Sequence, residues 1–245
     1  LEVHKPELRD DSGTQAAFAN GHAVGSVAQK IFDSEGVGMN VDPNLIGWDA
    51  SAEQTEAALQ AGQGPVFEGL LQVPGAMALA DVMRPDPNFS ELRWELIEVK
   101  ASTSVKDYHR DDVAIQTYIA DESEVPLSKS FLAHIDTSFV YQGQGDYTGL
   151  LRIEDLTDEA RARRAEVQKW IEEAQLVAAK EEEPEVVMGA QCAQPFACVF
   201  CGYCQGGDAV EKDPLAVLPH LHWKKREQFQ LTGISTLEEV PADQL

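Results

Sequence analysis

The sequence predicts an α/β fold in which a mixed central β-sheet is flanked by helices. Segments with apolar residues at helical spacing alternate along the chain with segments whose apolar residues follow strand periodicity. Hydrophobic residues occupy 43% of the 245 positions, which is enough to bury a full core. We therefore expect a core domain over 1–185, with a cysteine-containing segment and tail over 186–245 packed on it.

The predicted elements are two helices, three strands, a helix, a strand and a long helix, in that order. The first helix, 13–35, has apolar residues at helical spacing. The second, 51–62, has Ser51 as a candidate N-cap and Gly62 as a stop signal. The long helix opens with a capping pattern at Thr157. The predicted strands span 65–73, 76–85, 92–102 and 129–143, the remaining helices span 107–123 and 156–180, and 41–50 is a strand or a loop.

Composition and charge limit the classes of function. The net charge of −23 disfavours a protein that coats nucleic acid non-specifically, because such binding rests on Lys and Arg contacts to phosphates. It is compatible with an enzyme that has a local basic groove and divalent cations at its centre. No apolar run approaches the ~20 residues that span a bilayer, so we expect no membrane partner. Clustered cysteines favour metal binding in a reducing cytosol over a disulfide framework, and we expect a cytoplasmic protein.

Two acidic residues and a lysine lie in mainly apolar predicted strands, where a charge needs a partner or a metal. Glu98 and Lys100 are two positions apart near a strand end, so their side chains share one face. Asp81 can join them from a paired neighbouring strand. Two carboxylates that hold Mg²⁺ beside a lysine suit the hydrolysis of phosphodiester bonds. The alternative is that Glu98 and Lys100 are exposed charges at a strand end.

All cysteines of the chain fall within thirteen residues, with the spacing C-x5-C-x2-C-x2-C. Four thiolates this close can converge on an iron–sulfur cluster or on Zn²⁺. The compact spacing suits an iron–sulfur loop better than two separated zinc knuckles, although His220 and His222 could complete a zinc site. The four candidate ligands are Cys192, Cys198, Cys201 and Cys204.

The order of these motifs resembles the PD-(D/E)XK nucleases, and within them the RecB-like branch. In that branch a helical His precedes the core, followed by an Asp strand, a Glu-x-Lys strand and a helix that carries a Gln. The corresponding residues here are His22, Asp81, Glu98, Lys100 and Gln116. The resemblance covers roughly residues 13–205 and implies the restriction-endonuclease-like core.

The resemblance also implies roles for these side chains. Lys100 would be catalytic, and Gln116 would position Lys100 or the DNA. Glu68, one strand before Asp81, is a further candidate ligand, or a solvent-facing strand residue. The implied ligands of Mg²⁺ or Mn²⁺ are His22, Asp81, Glu98 and the backbone carbonyl of Val99.

Some RecB-like nucleases, including AddB-type and CRISPR-associated exonucleases, hold a 4Fe-4S cluster with one Cys before the core and three after it. The first residues of the chain, LEVHKPEL, are similar to those that follow the upstream Cys in an uncharacterised bacterial family of this branch. In that family we expect cysteines that match Cys192, Cys198 and Cys204. Cys201 is then an extra residue or a substitute for the upstream ligand. The cluster would have a structural role.

The resulting expectation is a metal-dependent deoxyribonuclease, an exonuclease that acts on single-stranded DNA or DNA ends and is stabilised by a 4Fe-4S cluster. The alternative is a non-catalytic nucleic-acid-binding or assembly module with a structural iron–sulfur or zinc site, within a larger polypeptide or complex. Arg161, Arg163 and Arg164 on the long helix form either a solvated helix face or a patch that contacts phosphates.

Overall fold

The computed structural model of the chain describes residues 1–10, 15–204, 215, 223–234, 236 and 239–241. The chain forms two compact units. One is Ala16–Ala179, and the other combines Leu1–Gln15 with Lys180–Leu245. The N-terminal residues therefore group with the cysteine-containing segment, whereas the sequence places them in the core. Within this second unit the Asp10 N–H donates to the Val199 carbonyl at 2.9 Å.

A six-stranded mixed sheet forms the centre of the unit Ala16–Ala179, as expected for the predicted α/β class. The strands are β1 (Met39–Asn40), β2 (Val66–Val73), β3 (Ala76–Pro85), β4 (Trp94–Lys100), β5 (Leu127–Ile135) and β6 (Leu151–Asp155). They lie in the sheet in chain order. The pairs β1–β2 and β4–β5 are parallel, and the other neighbouring pairs are antiparallel.

Helices of this unit flank the sheet. They are α1 (Gln15–Phe32), α2 (Pro43–Ile46), α3 (Trp48–Ala61), α4 (Asp107–Glu122), α5 (Thr157–Ala162) and α6 (Arg164–Ala178). Helix α4 connects the parallel strands β4 and β5 and contacts both β5 and β2. Helix α3 ends at Gly62, which has the left-handed conformation with φ 61°. The predicted cap Ser51 lies instead inside α3, and its hydroxyl donates to the Gly47 carbonyl at 2.8 Å.

The structure also differs from the prediction at the edges of the sheet. Strands β1 and β6 were not predicted, because β1 has two residues and β6 is largely exposed. The predicted strand 129–143 ends at Ile135. There Asp136 begins a turn, since its carboxylate accepts a hydrogen bond from the Ser138 N–H at 2.8 Å. The predicted helix 156–180 divides into α5 and α6 at Arg163.

Strand β4 is buried on both faces. Trp94 and Leu96 pack with Ile119 of α4 on one face, and Ile97 packs with Phe67 of β2 on the other. The alternation of the strand places these side chains in different core clusters. Glu98 and Lys100 therefore extend from a rigid central strand on the face that α4 covers.

The unit that contains the cysteines has a 3₁₀ turn at Ala190–Cys192, a short helix α7 (Cys201–Cys204) and a helix α8 (Trp223–Leu231). Leu215, Phe229 and Val240 form a small apolar cluster in this unit. His220 and His222 lie outside the described residues. Within the described part of the chain, no helix is long and apolar enough to cross a bilayer.

Candidate metal centre

The pairing of β2 with β3 is interrupted where Glu68 and Asp81 face each other. Phe67 pairs with Val82, and the next pair is Gly69 with Ala80, so Glu68 and Asp81 are not paired. Glu68 has φ 53°, a left-handed conformation that is unusual for a residue with a side chain and rarer still inside a strand. Such strain costs on the order of 1–3 kcal/mol and is concentrated at functional sites. The missing pair and the left-handed backbone of Glu68 therefore mark this position of the sheet as a candidate functional site.

Asp81 lies close enough to Glu98 for the charge of Glu98 to affect the ionisation of Asp81. Burial raises the pKa of Asp81 well above its usual range, and the negative charge of Glu98 raises it further. A hydrogen bond from the Val99 N–H to Asp81 Oδ2, at 2.7 Å, opposes this rise. Two carboxylates that share a desolvated space are costly without a cation between them.

Glu68 extends this acidic group. Burial raises its pKa, the charge of Glu98 adds to the rise, and a positive charge on His22 opposes it. The charges of Glu98 and of the exposed His22 of α1 thus act on Glu68, and the charges of Glu98 and Glu68 act on Asp81. Val99, between Glu98 and Lys100, contributes its N–H to Asp81.

Both ends of the Glu-x-Lys motif are held by α4. Gln116 Nε2 donates to Glu98 Oε2, and Lys100 Nζ donates to Asp112 Oδ2 at 2.5 Å. Lys100 Nζ also lies 2.6 Å from Glu98 Oε1. Burial by itself lowers the pKa of Lys100, but the carboxylates of Glu98 and Asp112 outweigh this effect and raise it. The lysine is therefore a fixed positive charge beside the acidic group.

Among the described residues, no three His, Cys, Asp or Glu side chains are arranged so that they could hold a metal ion as they stand. At the carboxylate site the protein's own donors contact both oxygens of Glu98 and one oxygen of Asp81. Lys100 and Gln116 contact the two oxygens of Glu98, and the Val99 N–H contacts Asp81. A cation that binds Glu98 Oε1 would compete with Lys100 for that oxygen.

The donor set nevertheless fits a divalent cation. Its oxygens come from carboxylates, the ligands that Mg²⁺ and Mn²⁺ prefer. A cation would also offset the repulsion that raises the pKa of Asp81 and Glu68. Gln116 Oε1 is buried without a hydrogen-bond partner beside Glu98, so a water at this point would find an acceptor.

The sequence did not reveal three further residues near this centre. Asp112 lies four positions before Gln116, and this helical spacing was the signal that could have identified it. His134 of β5 pairs in register with Lys100 and is buried. His109 is also buried. Burial lowers its pKa, and the charge of Lys100 lowers it further.

In the second compact unit, the four cysteines are free thiols. Burial raises the pKa of Cys201, and the charges of Cys192 and Cys198 add to the rise. Burial also raises the pKa of Cys204, and the charges of Cys198 and Cys192 add to the rise. The chemistry of this donor set fits a soft metal centre, which would stabilise the thiolates.

A side-chain network links the N-terminal residues to this segment. Tyr203, between Cys201 and Cys204, donates to Glu183 at 2.6 Å and accepts from Lys5 at 2.8 Å. The ammonium of Lys5 also lies 4.7 Å from the centre of the Tyr203 ring. The N-terminal residues are thus tied to the segment that carries the thiols.

We expect anaerobically prepared protein to contain iron and sulfide, with the visible absorption of an iron–sulfur cluster. Cys198→Ser should remove the absorption and lower the unfolding temperature, because metal binding contributes to folding. Metal analysis, absorption and calorimetry test this. Tyr203→Phe is the control, since it keeps all four thiols. Bound zinc without visible absorption would support the alternative zinc site. A protein without bound metal would contradict both the iron–sulfur cluster and the zinc site.

No family model matches the chain, and no curated protein matches it. Among solved structures, the chain matches the crystal structure of SSO0001 with a TM-score of 0.26 and 17% sequence identity. The matched region covers 55% of this chain and 62% of that chain, less than two thirds of its length. A likeness of this degree carries no argument about fold or function.

Proposed function

We propose that this protein is a divalent-metal-dependent nuclease that hydrolyses DNA phosphodiester bonds, with a PD-(D/E)XK core of the RecB-like type. The observation that carries the proposal is the pair formed by the partly buried Asp81 and the buried Glu98, with the Lys100 ammonium 2.6 Å from Glu98. A structural ion pair needs only one carboxylate for one ammonium. The additional carboxylates, Asp81 and Glu68, repel Glu98, and a bound divalent cation would explain why they lie together.

The proposed roles follow from the contacts. Asp81, Glu98 and His22 would hold Mg²⁺ or Mn²⁺ with the Val99 carbonyl, and Glu68 would complete the acidic group. The bound ion would supply Lewis acidity, which offsets phosphate charge and lowers the pKa of water. Lys100 would stabilise the negative charge that develops on the phosphate or orient the attacking water.

The residues of α4 would keep this arrangement in place. The hydrogen bond from Gln116 fixes the orientation of the Glu98 carboxylate. Because α4 packs on the central strands, the two side chains that it contributes are held by the core. A preorganised site of this kind loses little free energy to reorganisation during the reaction.

The proposed substrate is single-stranded DNA or a DNA end, and the proposed setting is a larger polypeptide or complex. The resemblance to exonucleases of the RecB-like type supports both points. With a net charge of −23, long-range attraction between the protein as a whole and DNA is unfavourable. DNA binding should therefore depend strongly on divalent cations at the site.

The test is cleavage of end-labelled single-stranded DNA, double-stranded DNA and single-stranded RNA by anaerobically purified protein. We expect cleavage of DNA with Mn²⁺ or Mg²⁺, none with a chelator, and none by Glu98→Ala purified in parallel. That variant controls for contaminating nucleases. Lack of cleavage by the wild type with all substrates and both metals would overturn the proposal. DNA binding in that case would support the non-catalytic module.

A further inference from the structure

Lys100 contacts the same carboxylate that the metal requires. Its Nζ lies 2.6 Å from Glu98 Oε1. The ammonium and a divalent cation therefore compete for one oxygen, while Gln116 occupies the other. A site built only from Asp81, Glu98 and Lys100 would oppose its own metal, because the lysine would neutralise Glu98.

Asp112 offers the lysine a second partner. Its Oδ2 accepts a hydrogen bond from Lys100 Nζ at 2.5 Å. The side chain of Asp112 is 43% exposed and that of Glu98 8% exposed. The lysine thus bridges a deep carboxylate, which faces Asp81, and a shallow one at the rim of the site.

We infer that Asp112 is a positioning residue that holds the Lys100 ammonium when a divalent cation takes Glu98. This inference rests on the proposed function. With Asp112 present, Lys100 retains a charged partner after it leaves Glu98, so the cation does not have to expose an unpaired ammonium. Without Asp112, every bound cation would leave the half-buried lysine without its counterion.

The positions on α4 are consistent with this role. Asp112 and Gln116 are four residues apart, so both project from the same side of the helix. One holds the lysine and the other holds the glutamate. The helix therefore gives each charged group of the motif a partner of its own, Asp112 for Lys100 and Gln116 for Glu98.

The chain provides a matched control in the neighbouring residue. Asp111 has a side chain that is 39% exposed, similar to Asp112, but it pairs with Arg163 at 2.7 Å. Asp111→Asn removes one negative charge from the same turn of the helix without changing the partners of Lys100. A general loss of attraction for cations should affect both variants alike.

The experiment measures Mn²⁺ binding to the full chain by calorimetry, with Glu98→Ala to locate the site. We expect Asp112→Asn to weaken Mn²⁺ binding about fivefold, as for the loss of roughly one kcal/mol of ion pairing. Asp111→Asn should bind like the wild type. In a Lys100→Met background, adding Asp112→Asn should change nothing, since the cycle isolates the effect that passes through the lysine.

Two results would overturn the inference and leave the proposed nuclease intact. One is wild-type Mn²⁺ affinity in Asp112→Asn. The other is an equal loss of affinity in the Lys100→Met background, which would show that Asp112 acts on the cation directly. Absence of Mn²⁺ binding by the wild type would overturn the proposed function, and this inference with it.

Discussion

Glu98→Gln should reduce metal-dependent DNA cleavage by at least about 10³-fold, because it removes a negatively charged ligand of the proposed metal. The substitution preserves the volume of the side chain. A neutral amide can still accept one hydrogen bond, but it lacks the negative charge that pairs with Lys100, and its NH₂ group cannot bond to an ammonium that only donates. Single-turnover cleavage with saturating Mn²⁺ measures the effect on the chemical step.

Glu95→Gln is the matched control for this prediction. Glu95 is a buried carboxylate of the same strand, and its Oε2 lies 2.5 Å from Arg84 Nε. Its loss should destabilise the protein, since the arginine loses its partner, while the folded variant should cleave DNA close to the wild-type rate. Equal losses of cleavage in both variants would show that Glu98 acts only through stability.

The central part of the fold was predictable because its signals are local. Strands β2, β3 and β4 and helix α4 have clear periodicity, and the structure places them within two residues of the predicted bounds. Glu98 and Lys100 share a face because strand geometry requires it. The contact of Asp81 with Val99 depends on the pairing of β3 with β4, which adjacent antiparallel strands favour.

Other features depend on contacts between distant residues, which leave no periodic signal. The left-handed conformation of Glu68 appears only when β2 pairs with β3. Asp112 is one of many acidic residues in the sequence, and its role follows only from the position of α4 over β4. The grouping of residues 1–15 with the cysteines likewise reflects tertiary contacts.

The partners of the arginines in the long helical segment also could not be predicted from the sequence. Their spacing is compatible with a patch that contacts phosphates. In the structure Arg161 contacts Asp121 at 3.4 Å, Arg163 contacts both Asp111 and Glu166, and Arg164 contacts Glu122. Each guanidinium has a carboxylate partner, so the structure favours the alternative of a solvated helix face.

Asp81→Asn should abolish cleavage and yet stabilise the metal-free protein at neutral pH. Burial and the charge of Glu98 raise the pKa of Asp81 in the folded state above its ordinary value. The ionised carboxylate therefore costs folding free energy, and an asparagine removes that cost while its carbonyl oxygen still accepts the Val99 N–H. In chelator, each kcal/mol gained should raise the unfolding temperature by about 2–4 °C.

The stabilisation of the metal-free protein by Asp81→Asn should increase with pH. Below the ordinary pKa of an aspartate, both folded and unfolded wild type are protonated and the advantage of Asp81→Asn vanishes. It grows as the pH rises through that value towards the raised pKa of the folded state, because the unfolded chain ionises first. Thermal unfolding in chelator from acid to neutral pH measures it.

Asp86→Asn provides a control of opposite sign. Burial by itself raises the pKa of Asp86, but hydrogen bonds, chiefly from the Asn88 N–H, outweigh it and lower the pKa. That carboxylate therefore stabilises the folded state above the ordinary pKa, and its loss should lower the unfolding temperature at neutral pH. If Asp81→Asn instead lowers the unfolding temperature as Asp86→Asn does, the Asp81–Glu98 pair carries no repulsion for a metal to relieve, and these carboxylates are not a cation site.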